Sequence, residues 1–288
     1  MPFTLSHPAA VLPLMRRPFS RAALVAGAVA PDMPYFVVTT GLPVSAQSWY
    51  EPFTNATTSH TALGAVTVSL PYALTLWALL RAGRRPLESL LSAPAVPSPP
   101  RTTAALTRRA GWVVLSALIG IATHVVWDAF THHDGFFVTH APWLTSTLAG
   151  SLTWARALQH VSTIGGLATI AVYVWRGRPR PLADRVHPDP GNATLRPALL
   201  ATTLLAAVGA VTHAWWLTDR PTATPGPPLS VVIEGTLSDA AKGAGATLIG
   251  TAVLYVTAWW TRHAVTTARD GSGSNSVRDD AARTNTTV

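Results

Sequence analysis

The stretch LIGIATHVVWDAFTHHDG, residues 118–135, opens as an apolar helix fit to enter a bilayer, yet it carries His124, Asp128, His132, His133 and Asp134. Ionisable groups inside a membrane span cost a few kcal/mol each on insertion scales, so they mark a functional site by default. His124, Asp128 and His132 follow one another at i, i+4 and i+8 and therefore share one helix face. A His-x-x-x-Asp pair on one face offers an imidazole nitrogen and a carboxylate oxygen to a single ion, both suited to zinc. The same spacing also serves a His–Asp hydrogen bond that merely ties helices together, and the triplet alone does not choose. His132, one turn nearer solvent, reads as an outer partner or an interfacial group, and His133, Asp134 and His140 as solvated.

The rest of the chain says that this helix lies in a membrane. Of 288 residues, 48% are hydrophobic and 12% charged, about half the charge of an average soluble domain. Apolar stretches long enough to cross a ~30 Å hydrocarbon core as helix recur near residues 22–40, 61–80, 112–130, 160–175, 197–217 and 241–260. The sequence predicts an all-α polytopic membrane bundle of about six transmembrane helices. A short re-entrant or interfacial helix precedes them over residues 1–15, with Ser6 as its N-cap and Pro8 in its first turn. The membrane domain takes residues 1–267, with the candidate site inside 1–140, and residues 268–288, rich in Gly, Ser, Asn and Thr, read as a disordered tail. The proline-rich stretch 86–101 is a semi-rigid connector and 218–236 an external loop.

Charge placement gives the topology. The net charge is +8, and 18 of the 21 basic residues precede the first span, separate the second from the third or the fourth from the fifth, or follow the sixth. Positive charge collects on the cytoplasmic side, so both termini are expected in the cytoplasm and the chain in the inner membrane, with membrane lipid as its surroundings. The basic residues flank loops, with no helix or sheet to present them to phosphates, which argues against nucleic acid. There is no cysteine, so disulfides and thiolate ligands are excluded. A cleaved signal peptide ending at AVA, residues 28–30, is disfavoured by the Pro31 that follows. The chain carries no Gly-rich phosphate loop and no Ser–His–Asp context.

Three further groups join the His124/Asp128 face. Asp32, in GAVAPDMPYF, stands in the first expected span between two prolines that leave backbone carbonyls free. No basic residue in any span can pair with it, so a metal ion is the natural partner. His60, after Ser59, starts the second span, and His7, after Ser6, lies in the N-terminal segment; each alone also reads as an ordinary interfacial or helix-start histidine. Depth sets a difficulty: at 1.5 Å per residue Asp32 stands ~16 Å above Arg21, His124 ~22 Å above Arg109 and His60 ~31 Å from Arg81. That spread suits one ion only if helices tilt, break at prolines or start away from their flanking arginines.

MPFTLSHPAAVLPL, LVAGAVAPDMPYF, SHTALG, ATHVVWDAFTH and LQHVSTIGG, in this order over residues 1–175, together resemble an uncharacterised bacterial membrane family, domain-of-unknown-function family 4184. More distantly, the order of His, Asp, His and His-x-x-x-Asp is similar to inner-membrane proteins regarded as metal-dependent hydrolases and to the zinc-dependent phospholipase C type. That resemblance implies a metal centre with His7, Asp32, His60, His124 and Asp128 as ligands. The later His-x-x-x-Glu pair of the phospholipases has no counterpart here, which leaves one or two ions rather than three.

The resulting expectation is a membrane-embedded metal-dependent hydrolase of the phosphoester or lipid class. A divalent ion, zinc by its donor set, would activate water, and Asp128 or Asp32, if not a ligand, would act as general base. The alternative is a non-enzymatic membrane protein, an ion or metal transporter or a structural partner, using the same polar cluster. Oligomeric state is not written in the sequence.

Overall fold

A computed structural model describes residues 3–38, 48–90, 102–150, 152–177 and 250–265, with a few single positions besides. The chain divides into two units, Met1–Arg81 with Val96–Val186, and Ala82–Ala95 with His187–Val288. The first holds every candidate ligand. It opens with a 3-10 helix, Thr4–Leu14, and continues through α1 (Arg21–Val29), a 3-10 turn (Ala30–Asp32), α2 (Met33–Val38), α3 (Glu51–Thr54), α4 (Ala56–Ser59) and α5 (Ala62–Gly64). A π turn (Ala65–Ser69) leads into α6 (Leu70–Leu90), which is followed by α7 (Thr103–Thr131), α8 (Phe136–His140) and α9 (Pro142–Thr145). A small antiparallel hairpin, β1 (Thr147–Ala149) and β2 (Leu152–Thr153), then turns the chain into α10 (Trp154–Arg176). In the second unit, residues 250–265 are helical, and Trp260 Nε1 donates to the Ala82 carbonyl at 3.1 Å.

The organising contact is α1 on α7. Ser20 caps α1 through its side chain, and its own N–H donates to Ser116 Oγ of α7 at 2.9 Å. Along the shared face lie small residues: Ala23, Ala30 and Ala117 pack with Val113 and Ile121, and Ala28 packs with Leu24 and Val11. Two glycines let the backbones touch. A Cβ on Gly120 would stand 2.4 Å from the Leu24 carbonyl oxygen, and one on Gly27 would stand 2.1 Å from that of Ala117. Small residues at a helix interface are how membrane helices reach such close approach. The N-terminal 3-10 helix lies on α1, α7 and α10 and buries Ser6, His7, Pro8 and Val11. Pro8 and Pro13 each withhold an N–H, which prevents a regular α-helical ladder there. Ser6 is not the cap: Phe3 holds that position, and Ser6 Oγ donates back to the Phe3 carbonyl at 2.7 Å.

Three helices are long and apolar enough to cross a membrane: Ala62–Pro86, Thr103–His140 and Trp154–Arg176. They correspond to the second, third and fourth expected spans, the fourth longer than its glycines suggested. The first expected span is not one continuous helix. Pro31 denies an N–H to Gly27 and Pro34 denies one to Ala30, so α1 ends at Val29, and the Ala30 carbonyl takes the Met33 N–H in a 3-10 turn. Residues 23–34 are, moreover, largely buried inside protein. Residues 86–90, read as the start of a connector, prolong α6. The 268–288 tail and nearly all of the fifth expected span and of the 218–236 loop lie outside the described residues, and of the sixth only 250–260 is described, as helix.

Gly120→Ala is expected to lower the thermal midpoint by several degrees, an overpacking cost of about 1–3 kcal/mol, even though alanine is the better helix former by roughly 1 kcal/mol. Gly111→Ala on the same helix, where an added carbon meets nothing within 4 Å, should leave the midpoint unchanged or raise it. Equal shifts in the two variants would contradict the close α1–α7 packing.

Candidate metal centre

Each local break in the fold delivers one side chain to the same point. On α7, His124 and Asp128 stand one turn apart, and the helix ends where the His132 N–H returns to the Asp128 carbonyl at 2.9 Å. Beside it, the end of α1 leaves the Ala28 carbonyl facing His124, whose Nδ1 donates to it at 2.7 Å. The 3-10 turn between the prolines presents Asp32, and Thr4 of the N-terminal segment donates its hydroxyl to Asp32 Oδ2 at 2.6 Å. Ser59 Oγ donates to the Pro31 carbonyl at 2.6 Å, and Ser69, in the π turn, donates to the Ser59 carbonyl at 2.8 Å. These bonds hold the turn that carries His60, whose Nδ1 donates to the Ala56 carbonyl at 2.7 Å.

A carbonyl can only accept, so the protons of His60 and His124 are assigned to Nδ1, and each neutral ring presents the Nε2 lone pair inward. Those two Nε2 atoms lie 3.3 Å apart. His124 Nε2 is 3.2 Å from Asp128 Oδ2 and 3.5 Å from Asp32 Oδ1, and His60 Nε2 is 3.3 Å and 3.7 Å from the same two oxygens. Asp32 and His124 are wholly buried, and Asp128 nearly so. Asp32 Oδ1 and both Asp128 oxygens have no hydrogen-bond partner. A proton shared by the two imidazoles would leave all three oxygens unsatisfied, a costly arrangement for buried carboxylates. One cation satisfies the four inward atoms together. Bonds of roughly 2.0–2.1 Å set ligand atoms of a regular tetrahedron roughly 3.3–3.4 Å apart, inside the 3.2–3.7 Å spread of the five separations above. The buried group Asp32, His60, His124 and Asp128 could thus hold a divalent metal ion.

His7 and His132 flank this group. His7 stacks on His124, ring centroids 3.7 Å apart, and its Nε2 lies 3.6 Å from Asp128 Oδ1. Burial, reinforced by the neighbouring His124, pushes His7 down to about 4, so its ring is neutral near pH 7. His132 stands as an outer partner of the group: its Nε2 is buried and unpartnered, 3.5 Å from Asp128 Oδ2. The i+8 position on the shared face was the signal for this approach. Thr4 and Ser59, by contrast, came with no spacing rule to single them out. His133 and Asp134 are exposed, at 94% and 73% of their side chains, and His140 and His160 are exposed as well. The centre is open on one side, where His60 keeps a 20% exposed side chain. A cavity of about 320 Å³ there is lined by Tyr35, Thr57, His60, Asp128, His132 and Phe136, among others.

The family model of a domain of unknown function, DUF4184, matches residues 1–255. The chain belongs to the DUF4184 family. No curated protein and no solved structure matches it. All six residues of the cluster fall within the matched stretch.

Removing an outer partner of a metal ligand weakens metal binding roughly 10–100-fold. Thr4→Val, which frees Asp32 Oδ2, is expected in that range when measured by competition with a chelator. Asp128→Asn, which removes the charge that neutralises the ion, should weaken binding more than Thr4→Val while the protein still inserts. An Asp128→Asn protein with undiminished metal content would refute this ligand set.

Proposed function

We propose that this chain is a membrane-embedded metal-dependent hydrolase of the phosphoester or lipid class. The observation that carries the reading is the convergence of two imidazole nitrogens and two carboxylate oxygens, the oxygens without a hydrogen-bond partner, beside a cavity open on one side. A bound divalent ion supplies a Lewis acid that polarises an ester oxygen and brings the acidity of water toward neutrality. Zinc suits the donor set of two imidazoles and two carboxylates. Asp32 and Asp128 are both drawn into the ligand set, so neither serves as the general base. That role passes to His132, whose Nε2 stands unpartnered beside Asp128 and whose ring lines the cavity, where it can accept a proton from water. Asp32 is held in place by Thr4, and His60 and His124 by backbone carbonyls, so the ligands are oriented before any ion arrives.

The setting favours an amphiphilic substrate. The centre lies where the span Ala62–Pro86 begins and where the span Thr103–His140 nears its end, hence at one face of the membrane. Exposed aromatic residues follow it, Phe136, Trp143 and Trp154, a composition typical of the lipid–water boundary. A site with one mouth also serves hydrolysis better than transport. One turn below His124, the contact of Gly120 with α1 closes the other side.

In the proposed topology the chain crosses the inner membrane six times with both termini cytoplasmic, and the centre faces outward. Reporter fusions after Gly83 and Gly177 should report cytoplasm and one after Pro225 the outside; a cytoplasmic reading at 225 would overturn the topology. The activity is tested by supplying zinc-loaded protein in detergent with a chromogenic phosphodiester and with phospholipid micelles. Chelator-sensitive release that disappears in Asp128→Asn is expected, and no release from either substrate class would refute the hydrolase reading.

A further inference from the structure

At the other end of α1 from the metal centre lies a separate cavity of about 770 Å³. Leu12 and Pro13, at the end of the N-terminal 3-10 helix, form one wall, and Val172, Tyr173 and Arg176, in the last turns of α10, form another. Arg21, the first residue of α1, lines it as well. The walls are mainly apolar, and two guanidinium groups from separate elements are the charged groups among the lining residues. Arg21 is held in place: its Nε donates to the Met15 carbonyl at 3.0 Å, in a turn that the Phe19 N–H closes on the Arg16 carbonyl at 3.0 Å. That bond uses one donor of the guanidinium and leaves its terminal N–H groups for a ligand. Among the described residues neither Arg21 nor Arg176 has a carboxylate partner.

The place of this cavity along the span says what fills it. α10 is long and apolar enough to cross a membrane and ends at Arg176, so the cavity sits where a span meets the headgroup layer. Val172 and Tyr173 are exposed there, and inside a bilayer such side chains meet lipid rather than water. A water-soluble phosphate would engage the arginines and leave the apolar walls unfilled. A zwitterionic lipid would fill the walls but bring its own cation to the arginines. An anionic phospholipid matches both parts. We infer that the cavity binds one anionic phospholipid, its phosphate taken by Arg21 and Arg176 and an acyl chain lying along Leu12 and Val172. Basic pockets between membrane helices on the cytoplasmic side recognise such headgroups, and in the proposed topology this end of α10 faces the cytoplasm. The lipid bridges α1 and α10 across the end of the N-terminal 3-10 helix, the segment that also supplies Thr4 and His7. The inference goes beyond the hydrolase reading and does not depend on the metal.

The test is native mass spectrometry of the delipidated full-length protein in detergent, titrated with phosphatidylglycerol or with phosphatidylcholine of the same acyl chains. The wild type should bind one phosphatidylglycerol roughly 30-fold more tightly than phosphatidylcholine, each arginine contributing as a cation near an anionic membrane surface does. In the Arg21→Gln, Arg176→Gln double variant the two lipids should bind alike. The Arg108→Gln, Arg109→Gln double variant removes two exposed arginines of α7 that do not line the cavity, and it should keep the preference. Equal binding of the two lipids by the wild type would overturn the site, and that comparison requires no variant to fold. Loss of the preference in the Arg108/Arg109 variant as well would overturn it by showing a diffuse effect of net charge. Excess inorganic phosphate should leave the lipid bound, and displacement by it would overturn the lipid as occupant in favour of a soluble anion. Chelator should alter none of these results, so failure here leaves the metal centre and the hydrolase reading untouched.

Discussion

The hydrogen bond from His124 Nδ1 to the Ala28 carbonyl couples the fold to the site. It forms only because α1 and α7 approach closely enough for Gly27 and Gly120 to meet backbone, and because Pro31 ends α1 just beyond Ala28. It also sets the tautomer of His124, so that Nε2 turns its lone pair toward Asp32, His60 and Asp128. Close packing, a proline break and ligand chemistry are therefore one constraint. A bulkier residue at position 120 would displace the imidazole as surely as it would part the helices.

Why α7 tolerates so many ionisable groups follows from that geometry. A carboxylate alone in a span costs roughly 2.5–3.5 kcal/mol at the helix centre on insertion scales, and two buried within one hydrogen-bonding distance of the same imidazoles would repel each other as well. With a divalent ion bound, the two carboxylate charges would be cancelled and two neutral imidazoles would complete the shell. The polar face would then be electrically self-contained, while apolar residues such as Leu115 and Val126 are exposed on the opposite side of the helix.

Much of the site could be read in the sequence. The i, i+4, i+8 repeat places His124, Asp128 and His132 on one face, and the prolines around Asp32 announce a break that exposes carbonyls. The order of the motifs brought in His7 and His60. Depth could not be read, because arginines were taken as markers of a common level, whereas Arg81 and Arg84 lie within α6 and Arg108 and Arg109 within α7. Nor could the first segment's burial. Its hydropathy resembles that of a lipid-facing span, but its Ala and Gly residues serve contact with α7, and hydropathy alone does not distinguish lipid from protein as an apolar neighbour. Thr4 and Ser59 act through tertiary hydrogen bonds that no local pattern encodes.

X-ray absorption at the zinc edge, on protein purified without chelator, addresses the central claim most directly. The account predicts nitrogen and oxygen neighbours at about 2.0–2.1 Å, with the outer-shell scattering of imidazole rings from His60 and His124, and loss of that imidazole signal in a His60→Ala, His124→Ala double variant. A spectrum of oxygen ligands alone, or protein that retains no zinc, would contradict it.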